Sequence, residues 1–345
     1  MKSRDCYRLG MFLLVFNGLT HEFSGRLLGN DFGVESSEFL FTALPHDSCH
    51  ASTIVETPSG LVAAWFGGVR EGHKSVGIWI ARQSGKNWSA PREVANGVQK
   101  NGKRLPCWNP VLFQMPQGAL FLFYKVGPSP SRWWGMLIRS KDDGKTWSTP
   151  QRLKDGFLGP IKNKPVLLAD GRLLCGSSTE HDGWKVHLEW SNQPGVVGSW
   201  EKSHSVKLDS VRGAIQPAIL QLKEGYRILC RDQGRKAILT SYSKDGKTWS
   251  QLQETNLPNP NSGIDGVTCQ NGRHVVVYNH TRNGRSPINL AVSTDGMQWT
   301  PVLELEKATG QEFSYPAIIQ TRDGKLHLTY TWKRTHIKHV VLKAK

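Results

Sequence analysis

Six segments of the chain share one pattern of apolar and polar positions. In each segment, an apolar run of strand length is followed by a turn with glycine and then by a second apolar run. The segments are residues 50–68, 109–125, 164–180, 216–232, 264–280 and 315–332. Short apolar runs bounded by turn residues are typical of strands buried in a sheet. The sequence therefore predicts six β-hairpins spread along the chain.

A second motif alternates with these hairpins. Its clearest copy is 140–147 (SKDDGKTW), related copies occupy 243–249 and 293–299, and degenerate copies end at Trp88 and Trp200. Successive tryptophans of the motif are 49 to 59 residues apart. Asp-Gly favours a tight turn with positive φ, and Asp and Ser side chains bond nearby backbone amides. We interpret the motif as structural, with its tryptophan anchoring the turn against its own sheet.

Six hairpins, five of them followed by a tryptophan turn, predict six four-stranded sheets and hence an all-β, six-bladed β-propeller. The last hairpin has no tryptophan turn after it. We therefore expect an N-terminal strand near Phe39 to Leu44 to complete the final sheet and close the ring. Because no linker or change of composition divides residues 39–345, they are predicted to form one domain.

Residues 1–38 are predicted to form a separate N-terminal segment. It begins with basic residues, followed by the short apolar stretch Met11 to Phe16. This is a weak match to a signal peptide and is consistent with secretion or export to the periplasm. The stretch is too short to span a bilayer, so no membrane span is predicted.

The charge balance indicates the class of partner. The chain has 44 Lys and Arg residues against 28 Asp and Glu residues, a formal net charge of +16 that favours polyanions. The basic residues form no run of five, so an acidic glycan is favoured over nucleic acid. The six cysteines lack metal-ligand spacing, and Cys175 and Cys230 lie in apolar runs. We expect structural thiols, and no cofactor or metal site.

The tryptophan-turn motif resembles the Asp-box, or BNR, repeat of the sialidase (neuraminidase) superfamily, and the resemblance covers nearly the whole chain after residue 40. It implies a propeller whose first strands line a central funnel, and a glycosidase of the exo-α-sialidase type. Polar residues at equivalent positions of the six hairpins are expected to converge there: His50, Asn109, Lys164, Gln216, Asp265 and Tyr315. The ends of the second strands add Glu71, Glu180, Arg231, Arg282 and Lys333.

The resemblance also assigns roles. Sialidases use a tyrosine nucleophile activated by a glutamate, an aspartate as acid/base, and three arginines that hold the substrate carboxylate. By resemblance, Tyr315 is the nucleophile, Arg231 is the second arginine, and Arg282 or Arg285 is the third. Glu71 is the acid nearest to the place of the aspartate.

Two positions depart from that pattern. Gln216 stands where the activating glutamate is expected, and His50 stands where the first arginine is expected. Glutamine cannot take a proton from tyrosine, so the chemistry uses another carboxylate, such as Glu312 or Glu180, or the reaction is not sialic acid hydrolysis. Gln216 is then expected to bind substrate, together with Asn109 and Lys164.

Two alternatives to sialic acid hydrolysis stay open. His50 and Tyr315 form a plausible acid/base pair for a lyase or glycosidase acting on uronic-acid polysaccharides. The other alternative is a non-catalytic, glycan-binding propeller. Sugar faces stack on aromatic rings, and the aromatic residues expected near the funnel are Trp65, Phe66, Trp108, Trp133, Trp134, Trp184 and Trp332. For Trp65 and Trp332 we favour core packing.

Overall fold

The strands of the protein follow the predicted repeats. The computed structural model describes residues 26–27, 31–208 and 213–344, and this part of the chain contains no α-helix. In chain order, the strands are β1 Arg26–Leu27, β2 Phe32–Phe39, β3 Ser48–Thr57, β4 Gly60–Gly68, β5 Gly77–Ser84, β6 Asn87–Trp88, β7 Arg92–Ala95, β8 Cys107–Gln114, β9 Leu120–Val126, β10 Trp134–Ser140, β11 Gln151–Arg152, β12 Val166–Leu167 and β13 Leu173–Thr179. They continue with β14 Lys185–Ser191, β15 Glu201–Lys202, β16 Ala214–Gln221, β17 Tyr226–Asp232, β18 Ala237–Ser243, β19 Gln253–Pro258, β20 Asp265–Thr268, β21 His274–Tyr278, β22 Ile288–Ser293, β23 Thr300–Glu306, β24 Phe313–Gln320, β25 Leu326–Trp332 and β26 His336–Ala344.

These strands form six antiparallel sheets, which confirms the six-bladed propeller. Blades 2, 3 and 4 are β8–β11, β12–β15 and β16–β19, and blade 6 is β24–β26 completed by β2. Blades 1 and 5 each have five strands rather than the predicted four, because β7 also pairs with β5 and β1 pairs with β23. First strands of different blades contact one another, as β3 does with β8 and β24, so they lie innermost around the axis. Because every second strand runs antiparallel to its first strand, the second strands end at the same face of the ring.

The ring is closed by a strand that lies earlier than predicted. β2 pairs with β26, with Val34 opposite Leu342 and Phe39 opposite Lys338. Leu40 and Phe41, which were expected to belong to this strand, are instead buried against blade 1 in a cluster that includes Trp65. Their side chains therefore serve the junction between the first and last blades. Residues 1–25, with the signal-like stretch and Cys6, lie outside the described residues.

The tryptophan turns pack on their own sheets as predicted, and also on the preceding blade. In blade 4, the Gly246 amide donates to Ser243 Oγ at 2.9 Å, and two further turn amides donate to Asp245 Oδ1 at 2.8 and 2.9 Å. Trp249 packs on a cluster shared by blades 3 and 4, and a Cβ added to Gly246 would lie 3.1 Å from Leu174 of blade 3. Because adjacent blades pack face to face, each turn covers the preceding blade as well as its own sheet.

The apolar core lies between the blades. Leu137 of blade 2 and Trp200 of blade 3 share one buried cluster, and Val277 of blade 5 and Tyr330 of blade 6 share another. The described cysteines are all free and buried: Cys49, Cys107, Cys175, Cys230 and Cys269. Over the ranges given above, no helix is long and apolar enough to cross a membrane.

Four blades have a bulge in their first strand, where the ladder register shifts. The bulged residues Ala51, Asn109, Gln216 and Tyr315 have φ values of 55°, 33°, 57° and 52°. Positive φ is strained for a residue with a side chain, and bulges re-aim side chains near functional sites. In blade 1 the equivalent residue is Ala51, so His50 lies one position before the place predicted for it.

Candidate active site

The Tyr315 hydroxyl lies at the centre of a polar cluster on the axis. Arg231, near the end of β17, donates from Nη1 to the hydroxyl oxygen at 2.6 Å, and Gln216 donates from Nε2 at 3.2 Å. Asn261 Oδ1 accepts from Arg231 Nε at 2.6 Å and fixes the guanidinium. The fold thus brings blades 4 and 6 into contact across the axis. Two N–H donors aimed at one oxygen stabilise negative charge on that atom.

His50 lies beside Tyr315, with the two ring centroids 4.0 Å apart. Its Nδ1 is hydrogen-bonded to Thr331 Oγ1 at 2.9 Å, while Nε2 has no hydrogen-bond partner among the described residues. Burial lowers the pKa of His50 well below its ordinary value, and the charges of Arg334, Arg285 and nearby cations lower it further. The imidazole is therefore neutral at pH 7, with one free ring nitrogen.

Three arginines surround this pair. Arg231 contacts the Tyr315 hydroxyl, and the guanidinium carbon of Arg285 lies 5.4 Å from the centroid of the Tyr315 ring. Arg334 is joined to Arg285 through Glu312, whose Oε1 accepts from Arg285 Nη1 and from Arg334 Nε, each at 2.8 Å. The described structure thus places Arg285, and not the exposed Arg282, beside the candidate nucleophile.

Arg334 is a site residue that the sequence analysis missed. The neighbouring Lys333 was named instead, but its Nζ lies over the Trp332 ring at 4.3 Å. Lys333 and Arg334 have φ values of 51° and 62°, and the Arg334 carbonyl accepts from the Cys49 amide at 2.8 Å. This contact ties the turn to the strand that carries His50. The only local signal in the sequence was the pair of basic residues, Lys333 and Arg334, after the last hairpin. Such a pair does not predict which of the two side chains faces the axis.

Comparison with known proteins identifies the family. The family model named BNR repeat-like domain matches residues 59–328. The chain belongs to the BNR repeat-like family. A sialidase from Bacteroides fragilis (strain YCH46) is 22% identical over 244 residues, which cover 61% of this chain and 41% of that protein. The chain thus spans about two fifths of the length of this relative.

Solved structures show the same fold. A protein of unknown function from Dyadobacter fermentans matches with a TM-score of 0.75 at 15% identity, over 91% of this chain and 100% of that chain. A Hadza microbial sialidase matches with a TM-score of 0.73 at 18% identity, over 86% of this chain and 66% of that chain. A Trypanosoma rangeli sialidase in complex with 2,3-difluorosialic acid has a TM-score of 0.68 at 16% identity, over 92% of this chain and 58% of that chain. At these identities the matches establish the sialidase-like propeller fold.

Three carboxylates lie on the open face of this BNR propeller. Burial alone would raise the pKa of Glu312, but Arg285 and Arg334 outweigh burial, and the pKa is lowered. Glu71 Oε2 accepts from Arg334 Nη1 at 2.5 Å. Burial raises the pKa of Glu180, against the opposing charge of Arg231 and a hydrogen bond from the Trp184 side chain. Burial thus shifts the pKa of Glu180 in the direction that a general acid needs, and the catalytic roles of Glu71 and Glu312 stay predictions.

The floor of the funnel is held by two lysines. Lys162, which the sequence analysis did not select, donates to Asn163 Oδ1 and the Ile264 carbonyl at 2.9 Å and also to the Pro316 carbonyl, and burial lowers its pKa to about 7. Lys164 Nζ forms an ion pair with Asp265 Oδ2 at 3.0 Å, so these two predicted funnel residues bind each other.

Asn109 is buried at its bulge, and its predicted role in substrate binding, like that of Lys164, stays a prediction. No group of three or more His, Cys, Asp or Glu side chains that could hold a metal ion occurs in the ranges described above.

The aromatic residues divide into core and rim. Trp65 is fully buried and donates from Nε1 to His46 Nε2 at 2.8 Å, so it belongs to the core as favoured from the sequence. Trp108 is also buried, and its Nε1 donates to the Gly127 carbonyl at 2.9 Å. Trp184 lies over the Arg231 guanidinium at 4.9 Å, and half-buried Trp133 lies at the rim. The stacking of a sugar on Trp133 or Trp184 stays a prediction.

Proposed function

We propose that this BNR propeller is a glycoside hydrolase of the exo-α-sialidase type, acting on a terminal acidic sugar. The observation that carries the proposal is the Tyr315 hydroxyl held by Arg231 at 2.6 Å, with Arg285 and Arg334 beside it. A tyrosine oxygen set among arginines suits a substrate that presents a carboxylate next to its reacting carbon. The sialidases among its sequence and structural relatives support the same reaction.

Substrate binding is assigned to the arginines. Guanidinium groups bind carboxylates through paired N–H donors, and three of them fix both the position and the orientation of the sugar. Glu312 holds Arg285 and Arg334 in place from one oxygen atom. In this proposal Arg334 supplies the guanidinium that the first blade lacks, since that blade has Ala51 at the bulge position and His50 one position before it.

Bond cleavage is assigned to Tyr315. Its oxygen forms a bond to the anomeric carbon while the bond to the leaving oxygen breaks, and the phenol proton passes to His50 Nε2. Burial lowers the pKa of His50 and the cations around it lower it further; the bound carboxylate offsets the contribution of those cations, so the imidazole becomes a better base once substrate is present. Gln216 orients the phenol by its hydrogen bond and takes no proton.

The proton for the leaving oxygen is assigned to Glu180. Burial raises its pKa, which is the direction of shift that the general acid of a glycosidase needs. In the second half of the reaction, water attacks the anomeric carbon and gives a proton to the Glu180 carboxylate. The bond to Tyr315 breaks in the same step, as the bond to water forms, and the tyrosine oxygen recovers the proton from His50.

A uronate-directed lyase is the second candidate, and one observation favours it. His50 is neutral, has a free Nε2 and lies 4.0 Å from the Tyr315 ring, so the pair could remove a proton from carbon next to a carboxylate. That reaction breaks a C–H and a C–O bond and leaves an unsaturated sugar. Its product differs from that of hydrolysis.

The test is turnover of a fluorogenic sialoside by the wild type, by Tyr315→Phe and by the control Tyr242→Phe, which lies on the third strand of blade 4. We expect a loss of at least ~10³-fold in kcat for Tyr315→Phe and no change for the control. If Tyr315→Phe turns over the sialoside as fast as the wild type and the control do, Tyr315 is not the nucleophile. If the wild type is inactive, acidic polysaccharides are assayed next: an ultraviolet-absorbing product indicates the lyase, and binding without any product indicates a lectin.

A further inference from the structure

A cavity of about 430 Å³ opens between blades 2 and 3, beside the Tyr315 site. One side of it is aromatic, with Trp133, Trp134 and Phe157, and its basic lining residues are Arg152, Lys154 and Lys202. Its size is in the range of pockets that bind small ligands. Of its lining residues, the function proposed above uses Glu180 alone.

Two chains of contacts connect the cavity to Tyr315. Glu180 lines the cavity, accepts a hydrogen bond from Trp184, and is affected by the charge of Arg231, which donates to the Tyr315 hydroxyl. On the other side, the rings of Trp133 and Trp108 lie 6.0 Å apart, and further ring contacts lead through Phe66 to His50. The cavity is therefore the continuation of the site on the side of Glu180.

The lining favours an anionic ligand. Arg152 is paired with Asp155 at 2.7 Å and covers the Trp134 ring at 4.7 Å. Lys202 donates one N–H to the Gly156 carbonyl at 3.0 Å, and its ammonium group has two further N–H donors. Lys154 is exposed at the mouth of the cavity. The charges of Arg152 and Asp155 cancel in their ion pair. The two positive charges of Lys154 and Lys202 then exceed the one negative charge of Glu180.

We propose that this cavity binds the sugar on the leaving side of the cleaved bond, and that this second sugar carries a carboxylate or a sulfate. The inference rests on the proposed function, because it needs an acidic sugar at Tyr315. Glu180 lies where the two sugars meet, at the bond that needs its proton. Trp133 offers a ring for the apolar face of the second sugar, and Lys154 and Lys202 meet its anionic group.

The experiment compares the affinity of three probes for the Tyr315→Phe variant, measured by calorimetry. 3′-Sialyllactose has a neutral second sugar, 3′-sialyl-6-sulfolactose places a sulfate there, and α2,8-linked disialic acid places a carboxylate there. The double variant Lys154→Glu/Lys202→Glu reverses the cavity charge. The control, Lys86→Glu/Lys145→Glu, makes the same charge change on exposed turns at the opposite face of the ring.

We expect one of the charged probes to bind about tenfold more tightly than sialyllactose, and this preference to disappear in the cavity variant alone. The tighter probe tells whether the ligand is a sulfate or a carboxylate. Equal binding of all three probes, or the same loss in the control, overturns the inference. The proposed function fails separately, since the fluorogenic sialoside has no anionic second group.

Discussion

The His50 and Tyr315 rings lie 4.0 Å apart, although they belong to the first and last blades of the propeller. Closure of the ring brings them together: β2 completes blade 6, and the Leu40 amide donates to the Ile337 carbonyl at 3.0 Å. The candidate site therefore depends on the join between the two ends of the chain. Its residues respond to one another in ways that substitutions can test.

Gln216→Glu is expected to raise kcat on a fluorogenic sialoside by about tenfold. It places a carboxylate where an amide now donates to the Tyr315 hydroxyl at 3.2 Å, and a carboxylate can take the phenol proton. Gln221→Glu, at the exposed end of the same strand, is the matched control. An unchanged or lower kcat for Gln216→Glu contradicts the assignment of Tyr315 as a nucleophile that is limited by its base.

Arg334→Ala is expected to raise KM for the sialoside by about 10- to 100-fold, since a charge-assisted carboxylate contact is lost. Arg334→Lys is expected to have a KM close to that of Arg334→Ala, because lysine lacks the planar pair of N–H donors that arginine offers to a carboxylate. Arg282→Ala, at an exposed position of the loop before Arg285, should stay within twofold of the wild type. Steady-state kinetics on all three variants measure this, and equal effects of Arg334→Ala and Arg282→Ala refute the role of Arg334.

Glu180→Gln is expected to remove the alkaline limb of the pH profile of kcat/KM. In the wild type, activity falls as pH rises through the raised pKa of Glu180 and the proton is lost, whereas glutamine does not titrate. The rate should fall about 10²-fold with a sialyl-lactose substrate and much less with a fluorogenic substrate, whose leaving group needs no proton. Glu71→Gln is the comparison variant and should keep the alkaline limb of its kcat/KM profile. If this variant loses the limb instead, Glu71 rather than Glu180 is the general acid.

Stability is expected to fall as pH drops from about 6.5 to 4, partly through His46. Burial lowers the pKa of His46 to about 4. Between that value and its ordinary pKa, the unfolded chain binds a proton that the folded chain does not, so the free energy of unfolding decreases by on the order of 2 kcal/mol.

His46→Gln keeps an acceptor for Trp65 Nε1 and should show a smaller loss of stability between pH 7 and pH 4.5 in urea unfolding. Equal losses in the variant and the wild type would contradict this origin. Because burial also lowers the pKa of His327 to about 4, part of the pH dependence should persist in the variant.

The sequence by itself determined the blades. Alternating hairpins and tryptophan turns are local features, and Asp245 and Gly246 make their bonds within the turn that the motif predicts. Each repeat therefore predicts the sheet that it forms, and six repeats together predict the propeller. The same local logic failed for the closing strand, because whether Leu40 pairs in a strand or packs against Trp65 depends on a blade at the other end of the chain.

Only the tertiary structure decided which residues share the site. Tyr315, Gln216 and Arg231 were selected from their places in the repeats, and the structure brings them into contact. Arg334 and Lys162 were missed, and the choice of Arg285 over Arg282 stayed open, because spacing along a strand says nothing about which loop residue turns towards the axis. Repetition fixes where each blade ends, and only the packing of six blades around one axis sets which side chains meet there.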